Sequence, residues 1–264
     1  MSIFVASPFK ISMFRQCPQK YKFQYIDKLA AEFRTPRPYL TMGQHVHSAL
    51  RDFFQIQPAE ARTLSHLQNL LRKHWRTNRE GFESVEEEKK WGEKALHLLE
   101  NFFHNQDVTI TPYKVEETWE VPLNSDLILM GKIDRLDENS DGSLKIIDYK
   151  TGKQPADSDT FLKDDLQLIA YICIVTKKIH RLVSEGSCLY LETNERITLT
   201  PTSEVLEEGL SKIRQIINSI QMEQEFSPNP TRLCSFCDYL TICPARAQIE
   251  QSEFSKIAEE ELPF

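Results

Sequence analysis

No stretch of this 264-residue chain reaches the about 18 consecutive apolar residues of a membrane helix, so no transmembrane span is expected. Met1-Ser2-Ile3-Phe4 lacks the basic region and long apolar stretch of a secretory leader. These absences lead to the expectation of a cytoplasmic protein, in which structural disulfides have no place. A phosphate-cradling Gly-x4-Gly-Lys-Ser/Thr loop is missing too. Thr151-Gly152-Lys153 follows an expected strand but lacks the rest of that pattern, so no intrinsic nucleotide-driven motor is expected. There is no internal repeat and no low-complexity tract. Excess positive charge is absent as well. The net charge is −7, which argues mildly against binding nucleic acid by bulk electrostatics.

What is present is the material of a folded protein. Apolar residues make up 40% and charged residues 27%, enough for a large core under a solvated surface. Charge is unevenly spread. Residues 1–40 hold Lys10, Arg15, Lys20, Lys22, Lys28, Arg34 and Arg37 against Asp27 and Glu32. Residues 61–79 hold Arg62, Arg72, Lys73, Arg76 and Arg79 with no acidic residue. The acidic excess sits between Glu83 and Glu93 and in a tail from Glu250 to Glu261. A local basic path for a phosphate backbone is available, although solvated helix faces would read the same way.

Hydrophobic periodicity predicts helices first, over 7–25 with a break at Cys17-Pro18, then 42–56, 64–75 and 85–103. Pro36 and Pro38 mark a loop. Strands are predicted over 113–123, 127–136 and 144–151, then a helix over 161–178. Strands over 187–192 and 196–200 turn around Thr193-Asn194, and a helix over 204–224 follows. This order predicts an α/β protein, a mixed sheet flanked by helices with an N-terminal helical insertion beside it.

The chemistry concentrates in Gly131-Lys132-Ile133-Asp134 and Ile146-Ile147-Asp148-Tyr149-Lys150. Strand side chains alternate, so Asp148 and Lys150 share one face while Ile147 and Tyr149 take the other. Asp141-Gly142 between the two strands is a hairpin signal, and folding the hairpin brings Asp134 towards Asp148. Two carboxylates and a lysine at strand ends can hold a hard divalent cation and orient a water beside it, the chemistry of phosphodiester hydrolysis. The cysteines form a second constellation. Cys234, Cys237 and Cys243 follow a Cys-x2-Cys-x5-Cys-Pro pattern, and close spacing in a cytosolic chain argues for metal rather than disulfides. Thiolate clusters are usually held by four ligands, and Cys17 supplies a fourth. A four-cysteine zinc site remains open at this point. Cys173 and Cys188 read as buried small hydrophobes.

These residues resemble the PD-(D/E)XK nuclease superfamily, in particular its RecB-like iron–sulfur branch. That branch includes CRISPR-associated RecB-like exonucleases and the AddB nuclease domain of a recombination complex. The resemblance runs from Ser7 to Pro244. It implies Asp134 as the first aspartate and Asp148-Tyr149-Lys150 as the (D/E)XK element. The preceding strand implies a catalytic glutamate at Glu116 or Glu117, with Glu116 favoured. Gly43-Gln44-His45-Val46-His47 matches a Gly-x-x-x-His motif and implies His47 as a metal ligand, with His45 on another face. The main-chain carbonyl of Tyr149 is a further implied ligand for one or two Mg²⁺ or Mn²⁺. Gln167 and Tyr171 match a Gln-x-x-x-Tyr motif that borders DNA. Cys17, Cys234, Cys237 and Cys243 are implied to hold a 4Fe-4S cluster, with zinc the less favoured occupant.

The resemblance further implies a single domain over 1–264 with a restriction-endonuclease-like core. Its parts are a helical region over 8–110, a nuclease core over 111–225, a cluster-binding segment over 226–248 and the acidic tail over 249–264. The cluster would pack the N-terminal part against the Cys-rich C-terminal segment. The implied activity is a metal-dependent DNA exonuclease acting on single strands or ends, in repair, recombination or CRISPR adaptation. The rival expectations are a non-catalytic DNA-binding scaffold and a nuclease active only beside a helicase or CRISPR integrase.

Overall fold

The long strand β3, Leu127–Glu138, organises the sheet. The computed structural model describes residues 3–158, 161–162 and 165–252. Along one edge of β3 runs the antiparallel strand β2, Lys114–Pro122. The other edge is shared. A short parallel strand β1, Phe4–Ala6, takes residues 127–129, and the antiparallel strand β4, Leu144–Lys150, takes residues 135–138. Between these two partners, residues 130–134 have no strand on that edge among the described residues. Beyond β4, a parallel strand β5, Val183–Tyr190, and an antiparallel strand β6, Arg196–Leu199, complete the mixed sheet.

Three helices cover one face: α4 (Pro38–Phe54), α5 (Leu64–Trp75) and α6 (Val85–Asn105). In α4 the spacing of Val46, Ala49, Leu50 and Phe53 makes one apolar stripe, which packs with Phe102 of α6 and with Ile147 and Tyr149 of β4. The other face carries α7 (Gln167–Ile179) and α8 (Ser203–Met222), whose Ile169, Ile174, Ile213 and Ile217 meet Leu129, Ile133 and Ile146. Each such buried aliphatic side chain contributes roughly 1.5–3 kcal/mol. The chain's first helices, α1 (Pro8–Gln16) and α2 (Pro18–Tyr21), pack elsewhere, and a short α3 (Ala30–Phe33) lies between them and α4 in sequence. Their Met13, Phe14 and Tyr21 cluster with Ile220 of α8 and with Phe226.

The expected break at Cys17-Pro18 is sharp. Cys17 adopts φ −162° and ψ 108°, its N–H donates to Met13 O, and its Sγ accepts the Lys20 N–H that opens α2. Other expectations need correction. Pro38 does not mark a loop but opens α4, where its missing N–H costs nothing. The helix expected over 161–178 is helical at Phe161 and Leu162 but is broken at Asp165-Leu166 and resumes at Gln167, with Asp165 accepting the Gln167 N–H through its side chain. Parts of that earlier stretch, 159–160 and 163–164, lie outside the described residues, as does 253–264 of the acidic tail. A strand, β1, precedes the first helix, and β5 begins at Val183 rather than Ser187. No helix among the described residues is long and apolar enough to cross a membrane.

Candidate active site

The β3–β4 ladder ends where Arg135 faces Ile147. One step further along, Asp134 and Asp148 occupy opposing positions with no backbone pair between them. The Asp134 Oδ2 instead accepts the Tyr149 N–H at 2.9 Å, so a carboxylate takes the place of a ladder carbonyl. Both aspartates are buried. Alternation along β4 holds: Ile147 and Tyr149 face α4 and α6, while Lys150 reaches Asp148 on the other side, Nζ to Oδ2 at 2.7 Å.

His47 comes in from α4. Its Nδ1 lies 3.2 Å from Asp134 Oδ1 and 3.5 Å from Glu116 Oε1. Gly43, one turn earlier, lets α4 come this close, since a Cβ there would sit 3.2 Å from Thr151 Oγ1 at the end of β4. The Tyr149 ring stands edge-on to the imidazole, 6.0 Å between centroids. Glu116 lies in β2 at a left-handed φ of 53°, a conformation that non-glycine residues seldom adopt, and it falls between two paired positions. The twist aims Glu116 at His47, and its second oxygen pairs with Lys132 Nζ. Glu117 points away and pairs with exposed Lys114 at 3.6 Å.

Gln167 and Tyr171 both line the groove beside these groups, but their polar atoms turn inward. Gln167 Oε1 accepts from Lys150 Nζ at 2.7 Å, and its Nε2 donates to Asp148 Oδ1 and to the Tyr171 hydroxyl, each at 2.9 Å. A Cβ on Gly131 would sit 2.8 Å from Ile174 and 2.9 Å from Tyr171, so the bare glycine sets how closely α7 approaches β3. His45 faces elsewhere and bonds Asn78 O at 2.8 Å.

Electrostatics follow from this crowding. Burial opposes a charge on His47, but Asp134, Glu116 and Asp148 outweigh it and raise the imidazole to about 10. Burial raises Asp148 to about 6; Lys150 opposes that shift and Asp134 adds to it. Burial likewise opposes the Lys150 charge, and Asp148 overcomes this and raises the ammonium above its usual range. Glu116 is held low because His47 and Lys132 outweigh its burial. Ligand atoms of His47, Glu116 and Asp134 lie within 4.8 Å of one another. One imidazole nitrogen and two carboxylates, pulled together around a proton, form a donor set that fits a hard or borderline divalent cation.

The family model of the PD-(D/E)XK nuclease superfamily matches residues 5–244. The chain belongs to this superfamily. Among its relatives is a Streptococcus agalactiae protein, one of the subunits of an ATP-dependent helicase/deoxyribonuclease, 27% identical over 186 residues. That match covers 67% of this chain and 17% of the relative, so the chain spans only a fraction of the first relatives' length. The Gene 69 protein of Mycobacterium phage D29 is 23% identical over 270 residues, covering 89% of this chain and 94% of the phage protein. A solved Eubacterium rectale protein with a provisional exonuclease name shares the fold, with a TM-score of 0.58 at 17% identity, over 88% of this chain and 86% of that one.

The motif residues expected from the sequence meet at the acidic centre, but two of their neighbours carry no motif. Lys132, which neutralises Glu116, stands two residues before Asp134, and that spacing was its available signal. Cys188 lies on β5 directly across from Asp148, its Sγ 4.0 Å from Oδ2, which only the strand register reveals. Far from this centre, Cys17, Cys234, Cys237 and Cys243 line one cavity of about 100 Å³. Asn229 Nδ2 donates to Gln16 O at 3.0 Å and the Tyr239 hydroxyl donates to Gln24, tying the pocket's two halves together. Burial raises the Cys237 and Cys243 thiols, and Cys17 and Cys234 raise both further.

Proposed function

We propose that this chain is a deoxyribonuclease dependent on Mg²⁺ or Mn²⁺, removing nucleotides from single strands or strand ends. The observation that carries this reading is the opposed Asp134–Asp148 pair at the end of a ladder, with Lys150 on one carboxylate and His47 and Glu116 beside the other. His47, Glu116 and Asp134 would hold the metal, with Asp148 and the Tyr149 carbonyl as further ligands. When bound, the metal supplies Lewis acidity at the scissile phosphate. The remaining roles fall to the chain. Lys150, held by Asp148 and Gln167, would position and help deprotonate the attacking water and stabilise charge growing on the phosphate. Gln167 fixes Lys150 and Asp148 relative to each other, a positioning role. Lys132 holds Glu116 ionised for the metal.

The cysteine pocket takes an iron–sulfur cluster in this reading. Tetrahedral zinc, with Zn–S of about 2.3 Å, draws thiolates to about 3.8 Å of one another. Cys17, Cys234, Cys237 and Cys243, lining one cavity, supply the four thiolates that either group needs, and the cluster is the guest proposed here. The relatives named for a helicase/deoxyribonuclease make a helicase partner compatible with this reading.

The test is cleavage of end-labelled single-stranded DNA by anaerobically purified protein with Mn²⁺, beside Asp148→Ala. We expect cleavage that falls by about 10³-fold or more in the variant, with the visible spectrum unchanged. Full cleavage by a folded Asp148→Ala protein would sink the assignment.

A further inference from the structure

Where residues 130–134 of β3 lack a strand partner on one edge, a cavity of about 1000 Å³ opens. Lys132, Lys150, Gln167 and Tyr171 line it, so it is continuous with the carboxylate centre. One wall is α1, which follows directly from β1 and turns Phe9, Ser12 and Arg15 into the cavity. Phe9 is 63% exposed.

A single exposed phenylalanine is ordinary on a protein surface. Three observations set this one apart. The other side of α1 is locked: Met13 and Phe14 are buried, Lys10 Nζ donates to Val5 O at 2.6 Å, and Asn229 holds Gln16 O. Phe9 therefore stands on a rigid rail. The ring shares its cavity with Lys132, Lys150 and Arg15, the pairing of aromatic and cationic groups that tracks a single strand. The segment after β4 brings Asp165 to the same cavity, and its carboxylate disfavours a phosphate beside it.

We propose that α1 is a stacking platform for unpaired bases, with Phe9 as its ring and Lys132 and Arg15 holding flanking phosphates. The proposal rests on the nuclease reading above and deepens it by naming the residues that hold an unpaired strand beside the carboxylate centre. Bases inside a duplex are already stacked, so a ring on a rigid helix gains nothing from them.

The experiment measures fluorescence anisotropy of a labelled 20-mer oligothymidylate and of a 20-base-pair duplex, without added divalent metal. Wild type, Phe9→Ala, Phe9→Trp and Arg15→Ala are compared after their melting temperatures are matched. Phe9→Ala should weaken single-strand binding about tenfold and change duplex binding less than twofold, while Phe9→Trp binds like wild type. Arg15→Ala should reduce the salt slope on the single strand by about 0.7. Single-strand binding within twofold of wild type in Phe9→Ala overturns the platform. So does equal loss on strand and duplex, or no strand binding by wild type. Adding Mn²⁺ separates the two readings. A wild type that binds the strand and leaves it uncut removes the nuclease assignment and leaves the platform standing. A wild type that cuts, with unaltered KM in Phe9→Ala, removes only the platform.

Discussion

Asp134 and Asp148 sit on regular strands, 8% and 3% exposed, with each carboxylate held by named partners. Cys17 sits instead at a helix cap, Cys234 in the 3-10 turn Arg232–Phe236, and Cys237 and Cys243 just after that turn and after Leu240–Ile242, all partly exposed. Both regions join distant parts of the chain. The carboxylate centre inherits its geometry from a sheet that would form anyway. The cysteine corner packs around few buried side chains, Tyr239, Ala245 and Ile249 among them, and burial with the neighbouring Cys17 and Cys234 raises the Cys237 and Cys243 thiols, so the iron–sulfur group proposed for it would supply part of its order. One site is built by folding; the other, on that proposal, helps to complete it.

The largest contrast should come from Cys234→Ser. With the pocket unable to hold its group, we expect the melting temperature to fall by about 10 °C, while the surviving folded fraction still cleaves. Calorimetry with a visible spectrum on the same sample checks this. Equal melting of variant and wild type would mean that the pocket contributes no order, and the contrast would collapse.

A change in pH should act on the carboxylate centre next. Metal-free His47 is raised to about 10 and is protonated at neutral pH, whereas a metal needs its neutral imidazole. Binding therefore expels one proton below about pH 10, and apparent affinity should rise about tenfold per pH unit. Asp148, raised to about 6, adds a second proton below that pH only if it is also a ligand. Titration calorimetry of Mn²⁺ across about pH 5–8 reads the slope. A pH-independent affinity would remove His47 from the ligand set, and a single slope throughout would remove Asp148.

The smallest effect belongs to Gly131→Ala. The added methyl presses on Ile174 and Tyr171, costing about 1–3 kcal/mol. Because α7 carries Gln167, cleavage should also slow severalfold. Urea melts and initial rates on one preparation test the pair, and lost stability with an unchanged rate would show that the Gln167 bridge positions nothing.

Much of this arrangement was legible in sequence because it rests on local period. Alternation in β4 put Asp148 and Lys150 together, Asp141-Gly142 closed the hairpin, and Pro18 broke the first helix. What stayed hidden depends on contacts between elements. β1 has three residues, too few to show a period, and exists because β3 offers it an edge. Glu116 was favoured over Glu117 by resemblance alone, and only the left-handed turn at Glu116 shows which of them is aimed inward. Gln167 read as a residue facing DNA, whereas its amide is taken up by Lys150, Asp148 and Tyr171.

The bond between Asn229 and the Gln16 carbonyl spans 213 residues of chain. On the ribosome, Cys17 emerges long before Cys243 and waits while the sheet and its helices are made. Loop closure over such a length grows only slowly in cost, so the delay is tolerable for folding. It is decisive for loading. The pocket cannot exist until translation has passed Cys243, and a chain cut short keeps an orphan thiol with nothing to share. Filling the pocket would thus certify that the polypeptide had been carried through its last cysteine.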